Sequence, residues 1–365
     1  MSFLRGIGIA AWMSMIGVSV GAAHDINEKI ADCTCDTACF TDEVQNLSCT
    51  ATHFSFSSHG LPDASHKMMV GITGNNQQFP SSHNLEFSLP RHPERASSPT
   101  ATRPGAIGVA VNGVPIFDPG TQGPVRPETG KPVSAADAGE LDICGGHAGR
   151  GDDYHYHRAP NCLIDEMGAE AVETQHRPIG YASDGFPILA LGWFDKAHDI
   201  EAELDRCRGA TDGAGAYFYN VQHQGDFAVL DCLSGTEQHF ARDHWDQRKD
   251  QSGHDIVGIP IKFAVDDFTR TQVGKDQCAV MTGTLGPEKL LRSDGSIIDN
   301  TNLDGALFHC SSRCYGQFVE APWSLFSRGR LLVFETATSG CPAGFAPAHY
   351  SNGQGNPFLA FAPAK

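Results

Sequence analysis

Three histidines lie close together in the middle of the chain, between Asp142 and His157. His155 and His157 are two residues apart, and side chains with that spacing in a β-strand point to the same face. His147 precedes them across a glycine-rich stretch, where a turn can bring its side chain back toward the pair. Converging imidazoles are typical ligands of Zn²⁺, Cu²⁺ or Fe²⁺. The spacing therefore predicts a site for a divalent transition metal, Zn²⁺ or Cu²⁺ above all, formed by His147, His155 and His157.

Nearby carboxylates extend this hypothesis and leave two alternatives open. Asp152, Asp153 and Asp184 are candidates for a fourth ligand or for hydrogen bonds that orient the rings. In the first alternative, the histidines only hydrogen-bond within a polar turn and stack on Tyr154 and Tyr156. In the second, the metal is part of a hydrolase or oxidase, with Asp153 or Asp184 as the base. The sequence contains no complete hydrolase motif, so catalysis stays an alternative to metal binding alone.

An internal repeat indicates how the chain positions these residues. Residues 107–116 and 179–188 share the pattern Ile-Gly-x-Ala-x-(Asn/Asp)-Gly-x-Pro-Ile. Each copy is typical of a strand, a tight Asn-Gly or Asp-Gly turn, and an edge strand that begins with proline.

A second element repeats in the same order. Cys144 precedes a Tyr-x-Tyr run at residues 154–156, and Cys207 precedes another at 217–219, with the same offset. Each copy then reaches a further cysteine, Cys162 or Cys232, which makes Cys144/Cys162 and Cys207/Cys232 the candidate disulfides. The 40 glycines and 21 prolines also favour short strands over long helices. We predict a mainly β fold of two similar units with pseudo-two-fold symmetry, disulfide bonds and few short helices.

The composition and the N-terminus indicate an exported, acidic protein. Hydrophobic residues make up 40% of the 365 residues, and the net charge is −17 at pH 7. Arg5, an apolar run and then Ala22 and Ala23 follow the order of a secretory signal peptide, with an uncleaved anchor as the alternative. Cleavage after Ala22 or Ala23 removes one positive charge and gives −17 − 1 = −18. We therefore expect a secreted or periplasmic protein that binds neither nucleic acid nor, after cleavage, membranes.

The 12 cysteines and the changes in composition divide the chain into segments. An even number of cysteines in an exported protein predicts disulfides. Four of them crowd the N-terminal part, where a disulfide knot is favoured over a thiolate metal site. The predicted segments are a signal peptide (1–23), a Cys-rich segment (24–52), the repeat-containing domain (53–235), a linker or exposed helix (236–254) and a Cys-containing C-terminal region (255–365).

Taken together, the motifs resemble the YHYH domain family of exported, mostly bacterial proteins. The matching elements are residues 58–62, 106–115, 144–147, the Tyr-His-Tyr-His signature at 154–157, 179–188, 204–207 and 217–219. The resemblance covers roughly residues 53–235. It implies an export context but no particular reaction or substrate.

The second half departs from that family pattern. Relatives often carry another Tyr-His-Tyr-His-like run at the place where this chain has Tyr217, Phe218, Tyr219 and Asn220. The resemblance therefore implies at most one strong histidine site, with His223 as the nearest substitute in the second half. A separate alternative is a copper site at His24, which requires that cleavage after Ala23 make it the N-terminal residue.

Overall fold

Short strands make up most of the described part of the chain. The computed structural model describes residues 29–73, 80, 82–103, 105–148 and 153–236, apart from 126, 128–129, 131, 222–228 and 231, together with the strands after residue 262. The first fifteen strands are β1 (Val44–Cys49), β2 (His53–Ser58), β3 (Leu85–Pro90), β4 (Arg95–Ala101), β5 (Ala106–Ala110), β6 (Pro115–Phe117), β7 (Gly120–Val125), β8 (Pro132–Ser134), β9 (Gly146–Ala148), β10 (Tyr154–Tyr156), β11 (Gly180–Ala182), β12 (Pro187–Leu189), β13 (Gly209–Thr211), β14 (Tyr217–Asn220) and β15 (Cys232–Gly235).

Helices are few and short among these residues, which confirms the predicted mainly β fold. The one α-helix is α1 (Asn161–Ala169), and a π-helical turn continues it. None of the helices in the described residues combines the length and the apolar character needed to cross a membrane. The remaining helical segments are the π-helix Glu170–Thr174 and the 3-10 helices Thr37–Cys39, Lys196–His198 and Glu201–Glu203.

Eight strands form the sheet that carries the histidines, in the order β13-β14-β12-β11-β5-β6-β10-β9. The two central strands, β5 and β11, are antiparallel and come from the two copies of the Ile-Gly repeat. Outward from this centre, each half adds a hairpin partner, a parallel strand and an antiparallel edge strand. The pseudo-two-fold symmetry of the two halves stays a prediction.

The central strands approach so closely that the repeated glycine is required. Gly108 and Gly180 occupy the same place in their repeats. A Cβ atom on Gly108 would lie 2.8 Å from the carbonyl oxygen of Tyr181, and one on Gly180 would lie 2.6 Å from that of Val109. Both distances are shorter than carbon and oxygen tolerate, so a side chain at either position would push the two strands apart.

The turns after the central strands agree with the sequence, but the position of the following strands does not. Gly113 and Gly185 have φ values of +72° and +89°, as the Asn-Gly and Asp-Gly turns predict. Pro115 and Pro187 begin β6 and β12 as predicted. The prediction of edge strands was wrong, because β6 and β12 also pair in parallel with β10 and β14. Proline is tolerated there because it is the first residue of each strand.

A smaller antiparallel sheet of β1, β2 and β3 packs over the centre of the eight-stranded sheet. Along β2 and β3 buried and partly exposed side chains alternate, which places Phe54, Phe56 and Phe87 in the core. The Phe54 ring meets the ring of Tyr181 on β11 edge to face, with centroids 4.8 Å apart. The two sheets therefore share one hydrophobic core.

Four disulfides link segments of the described chain, in agreement with the prediction of a disulfide-bonded fold. The bonds are Cys33–Cys39, Cys35–Cys49, Cys144–Cys162 and Cys207–Cys232. The first two lie in the Cys-rich N-terminal segment. In the first half of the repeat, Cys144–Cys162 joins the turn before β9 to α1. In the second half, Cys207–Cys232 joins the turn before β13 to β15.

The C-terminal region also consists of strands. The signal peptide and residues 237–254 of the predicted linker lie outside the described residues. The strands are β16 (Phe263–Val273), β17 (Asp276–Leu285), β18 (Leu290–Arg292), β19 (Ile297–Ile298), β20 (Leu303–Cys310), β21 (Cys314–Gly316), β22 (Trp323–Ser327), β23 (Arg330–Val333), β24 (Phe345–Pro347), β25 (His349–Ser351) and β26 (Ala360–Pro363).

Candidate metal centre

The three predicted histidines meet at one edge of the eight-stranded sheet. His147 on β9 lies directly opposite His155 on β10 in the antiparallel register, and His157 follows the end of β10. All three are buried, with 4%, 3% and 7% of their surfaces exposed. The structure thus contains the histidine cluster that the spacing predicts.

The tyrosines of the signature point to the other side and hold the strand in place. Tyr154 and Tyr156 are fully buried. The hydroxyl of Tyr154 donates to the carboxylate of Asp142 at 2.7 Å, and the hydroxyl of Tyr156 accepts from the side-chain amide of Asn112 at 3.1 Å. These bonds tie β10 to the turn before β9 and to the turn between β5 and β6. The alternation therefore divides the signature into two anchoring tyrosines and two histidines of the cluster.

The ring nitrogens form an equilateral triangle. The Nε2 atoms of His147, His155 and His157 are 3.1 Å apart in all three pairs. The ring centroids are farther apart, at 4.7 to 4.9 Å, so the rings converge through Nε2. A point equidistant from the three atoms in their plane lies 3.1/√3, or about 1.8 Å, from each. Zn–N bonds are about 2.0–2.1 Å long, so the three nitrogens converge closely enough to hold one ion in common.

The outer nitrogens of two rings have partners that fix their tautomers. Nδ1 of His157 lies 2.5 Å from the carbonyl oxygen of Asp118, and Nδ1 of His155 lies 3.0 Å from that of Asp153. A carbonyl oxygen only accepts, so Nδ1 of each ring carries the proton. In a neutral ring, Nε2 then presents a lone pair to the centre of the triangle. This is the tautomer that a metal ligand requires.

Two carboxylates lie on the outer side of the cluster. An oxygen of the Asp153 side chain is 3.2 Å from Nδ1 of His155, and an oxygen of Glu140 is 3.9 Å from Nδ1 of His147. Both face the nitrogens that point away from the triangle. Asp153 therefore lies beside the outer nitrogen of His155, where a carboxylate can orient the ring, and not at the centre of the triangle.

Burial keeps His147 and His157 uncharged. It holds the pKa of His147 well below its usual value, and the neighbouring rings of His155 and His157 lower it further. The pKa of His157 falls to about 3, again mainly through burial and then through His155, although the Asp118 carbonyl opposes the change. Neutral imidazoles are the form that binds metal, so these two rings need not release a proton at neutral pH.

Phe117 forms an apolar wall next to the cluster. Its ring stacks on His155 with centroids 3.8 Å apart, and it meets the ring of His157 edge to face at 5.9 Å. Phe117 ends β6, which pairs in parallel with β10, so the sheet itself places the ring there. The stacking restricts the rotation of His155 and thereby supports a fixed ligand geometry.

The remaining predicted residues occupy different places. Asp184 lies in the second half, where its carboxylate accepts from the hydroxyl of Tyr219 at 2.6 Å and from the backbone N–H of Gly235 at 2.8 Å. It therefore supports the second half and, unlike Asp153, bonds to none of the three histidines in the structure. Asp152 and His223 lie outside the described residues. Within the described chain, the group able to hold a metal has three members, His147, His155 and His157.

Sequence reasoning missed Glu140, Phe117 and the carbonyl group of Asp118. A backbone carbonyl leaves no trace in side-chain patterns, because every residue has one. Glu140 lies in a loop that only the tertiary structure brings to His147. Phe117 directly follows the Ile-Gly repeat, but its place beside His155 depends on the parallel pairing of β6 with β10, which the sequence does not show.

Fold and site together define a disulfide-bonded β domain with one buried three-histidine cluster. Residues 86–236 match the family model described as YHYH protein, in agreement with the resemblance that the motifs carry. The match includes both copies of the repeat and all three histidines. No curated protein and no solved structure matches the chain.

Proposed function

We propose that the YHYH domain binds one divalent transition-metal ion, Zn²⁺ or Cu²⁺, through Nε2 of His147, His155 and His157. The equilateral 3.1 Å triangle of Nε2 atoms is the observation that carries the proposal. Three nitrogen atoms in mutual contact cannot satisfy one another by hydrogen bonds, since a neutral ring has only one N–H. For His155 and His157 that N–H points outward to a carbonyl group. A cation at the centre gives the inward lone pairs a common partner.

We propose further that the chain is exported and acts outside the cytoplasm. Four disulfides in the described chain support this, because such bonds persist in oxidising compartments. The order of one basic residue, an apolar run and small residues within the first 23 residues also supports export. N-terminal sequencing of the protein recovered from the periplasm or medium should begin at Ala23 or His24. A chain that retains residue 1 would contradict a cleaved signal.

Elemental analysis of the purified protein tests metal binding directly. The wild type, expressed in medium with added Zn²⁺ and Cu²⁺, should carry about one ion per chain, because one three-nitrogen site holds one ion. His155→Ala/His157→Ala should carry less than about a tenth of that, since a single imidazole is a weak ligand on its own. His92→Ala removes an exposed histidine and should match the wild type. A wild type without stoichiometric metal would contradict the proposal.

The carboxylate of Asp153 should strengthen metal binding through His155. In Asp153→Asn the charge near Nδ1 is lost, whereas the backbone carbonyl that accepts from the ring remains. We expect metal affinity to fall by about tenfold, the lower end of the range for such outer partners. Competition with a chromophoric chelator measures it. Glu86→Gln removes an exposed carboxylate on β3 and should leave the affinity unchanged, and equal losses in both variants would indicate a general charge effect.

A further inference from the structure

The second half of the domain shows what this scaffold looks like without the three histidines. In β13 and β14, Ala210 lies opposite Phe218 just as His147 lies opposite His155. Asn220 then stands two residues after Phe218, at the place that His157 occupies relative to His155. The three positions of the histidine cluster therefore hold alanine, phenylalanine and asparagine in the second half.

These replacements fill the space with a packed core. Ala210 and Phe218 are buried in one apolar cluster, and Phe218 is fully buried. The cluster is completed by Leu189, Leu191 and Ile200. The side chain of Asn220 accepts from the backbone N–H of Leu191 at 2.8 Å and donates to its carbonyl oxygen at 3.0 Å. The side-chain amide of Asn220 is thus hydrogen-bonded to the backbone of the neighbouring loop.

The side-chain hydrogen bonds that tie the tyrosines to the turns are similar in both halves, and the bonds of this set do not use a histidine. Asp142 accepts from two backbone N–H groups of its own turn and from Tyr154. Asp205 accepts in the same pattern from its own turn and from Tyr217. In the turn between β5 and β6, the side chain of Asn112 bonds the hydroxyl of Tyr156. In the corresponding turn between β11 and β12, the carboxylate of Asp184 bonds the hydroxyl of Tyr219. A disulfide from the turn is also present in each half.

We infer that the domain folds without the metal ion, and that the bound ion keeps one coordination position for a small monodentate ligand such as water or an inorganic anion. This inference rests on the proposed function. Its first support is the second half, where tyrosine anchors and a disulfide hold the same strand arrangement around an apolar core. Its second support is the triangle itself. The three nitrogens converge on one point, and three protein ligands would leave at least one position of a four-coordinate ion to an exogenous ligand.

The number of protein donors agrees with a metal centre that keeps one open coordination position. Structural zinc sites are closed by four protein ligands, whereas sites that exchange ligands keep three and leave one position to water or substrate. The described chain supplies three donors, all imidazole nitrogens, which carry no charge in the form that binds a metal. A divalent ion held by them retains its full positive charge, which favours an anionic exogenous ligand.

Azide binding to the Cu²⁺-loaded full-length protein tests the open position. Azide should replace a bound water molecule and produce a new, saturable charge-transfer band in the visible spectrum. The variant His147→Ala/His155→Phe/His157→Asn, which copies the second half into the first, should show no band under the same conditions. A Cu²⁺-loaded wild type whose spectrum does not respond to azide would overturn the inference. Asp152→Ala, measured in parallel, would then show whether that side chain closes the site.

Thermal unfolding tests the role of the ion in folding. Metal-stripped wild type should remain folded and unfold cooperatively, and His147→Ala/His155→Phe/His157→Asn should do so with a midpoint at least as high. A metal-stripped wild type that is unfolded and refolds on addition of Zn²⁺ would overturn the inference and leave the proposed function intact. A wild type that takes up no metal at all would instead overturn the proposed function. The two failures are therefore distinguishable.

Discussion

Removal of the disulfide Cys144–Cys162 should lower both the stability of the domain and its affinity for metal. The cysteines are 18 residues apart in sequence. Closing a loop of that size restricts the unfolded chain, so Cys144→Ala/Cys162→Ala should lower the free energy of unfolding by about 3 kcal/mol. Urea denaturation of the metal-stripped protein measures this loss, which avoids a contribution from bound metal.

The same disulfide lies next to the histidine cluster. Cys144 belongs to the turn that leads into β9 and His147, and the carbonyl oxygen of Gly145 in that turn accepts from the backbone N–H of His157 at 3.0 Å. The turn therefore supports two of the three rings. Without the bond to α1 it has more freedom, and we expect metal affinity to fall by about tenfold, as for other supports of a metal site.

The second half provides a matched control for this prediction. Cys207–Cys232 spans 25 residues and occupies the corresponding place, where Ala210, Phe218 and Asn220 replace the histidines. Cys207→Ala/Cys232→Ala should cost a similar free energy of unfolding, about 3 kcal/mol or slightly more. Its metal affinity should equal that of the wild type. If both pairs weakened metal binding equally, the effect would be one of general stability, and the local role of Cys144 would be refuted.

The sequence alone was enough to predict the histidine cluster, because local geometry determines it. Alternation along a strand places His155 and His157 on one face and Tyr154 and Tyr156 on the other. The glycine-rich stretch before them allows the hairpin that brings His147 back. Both features involve residues that are close in sequence. They depend on the two-residue repeat of a strand, which is visible as alternation of residue types in the sequence.

Long-range pairing was the part that the sequence could not supply. The proline at the start of β6 and β12 suggested edge strands, since a proline inside a sheet removes a hydrogen-bond donor. The parallel partners β10 and β14 lie far along the chain, and no local sequence pattern predicts that they pair with β6 and β12. The contacts of Glu140 and of the Asp118 carbonyl depend on the same pairing. They follow from tertiary structure and not from any motif.

The metal-stripped domain should lose stability steeply in mild acid because of the buried histidines. The folded-state pKa values of His147 and His157 lie below the ordinary value of 6.5 for histidine. Above pH 6.5 both rings are neutral in the folded and the unfolded chain. As the pH falls below 6.5, the unfolded chain takes up protons that the folded chain does not accept. Stability that is present above pH 6.5 is therefore lost on acidification, down to the folded-state pKa of about 3 for His157.

The expected size of this effect is large for a single domain. Each ring contributes about 1.4 kcal/mol per pH unit below 6.5, so the two rings together contribute a loss of about 4 kcal/mol between pH 7 and pH 5, part of which Asp142 offsets. Urea denaturation at a series of pH values, after removal of metal, measures the loss. A loss of this size is a large share of the stability of an ordinary domain, which is about 5–15 kcal/mol.

Another buried group acts in the opposite direction and must be separated from the histidines. Burial raises the pKa of Asp142 to about 6, so the folded chain takes up a proton there between pH 6 and pH 4 and gains stability relative to the unfolded chain. His147→Ala/His155→Phe/His157→Asn retains Asp142 and lacks the three rings. Its stability should therefore stay level or rise between pH 7 and pH 5, while that of the wild type falls. Parallel losses in the two proteins would show that the histidines are not the source of the acid sensitivity.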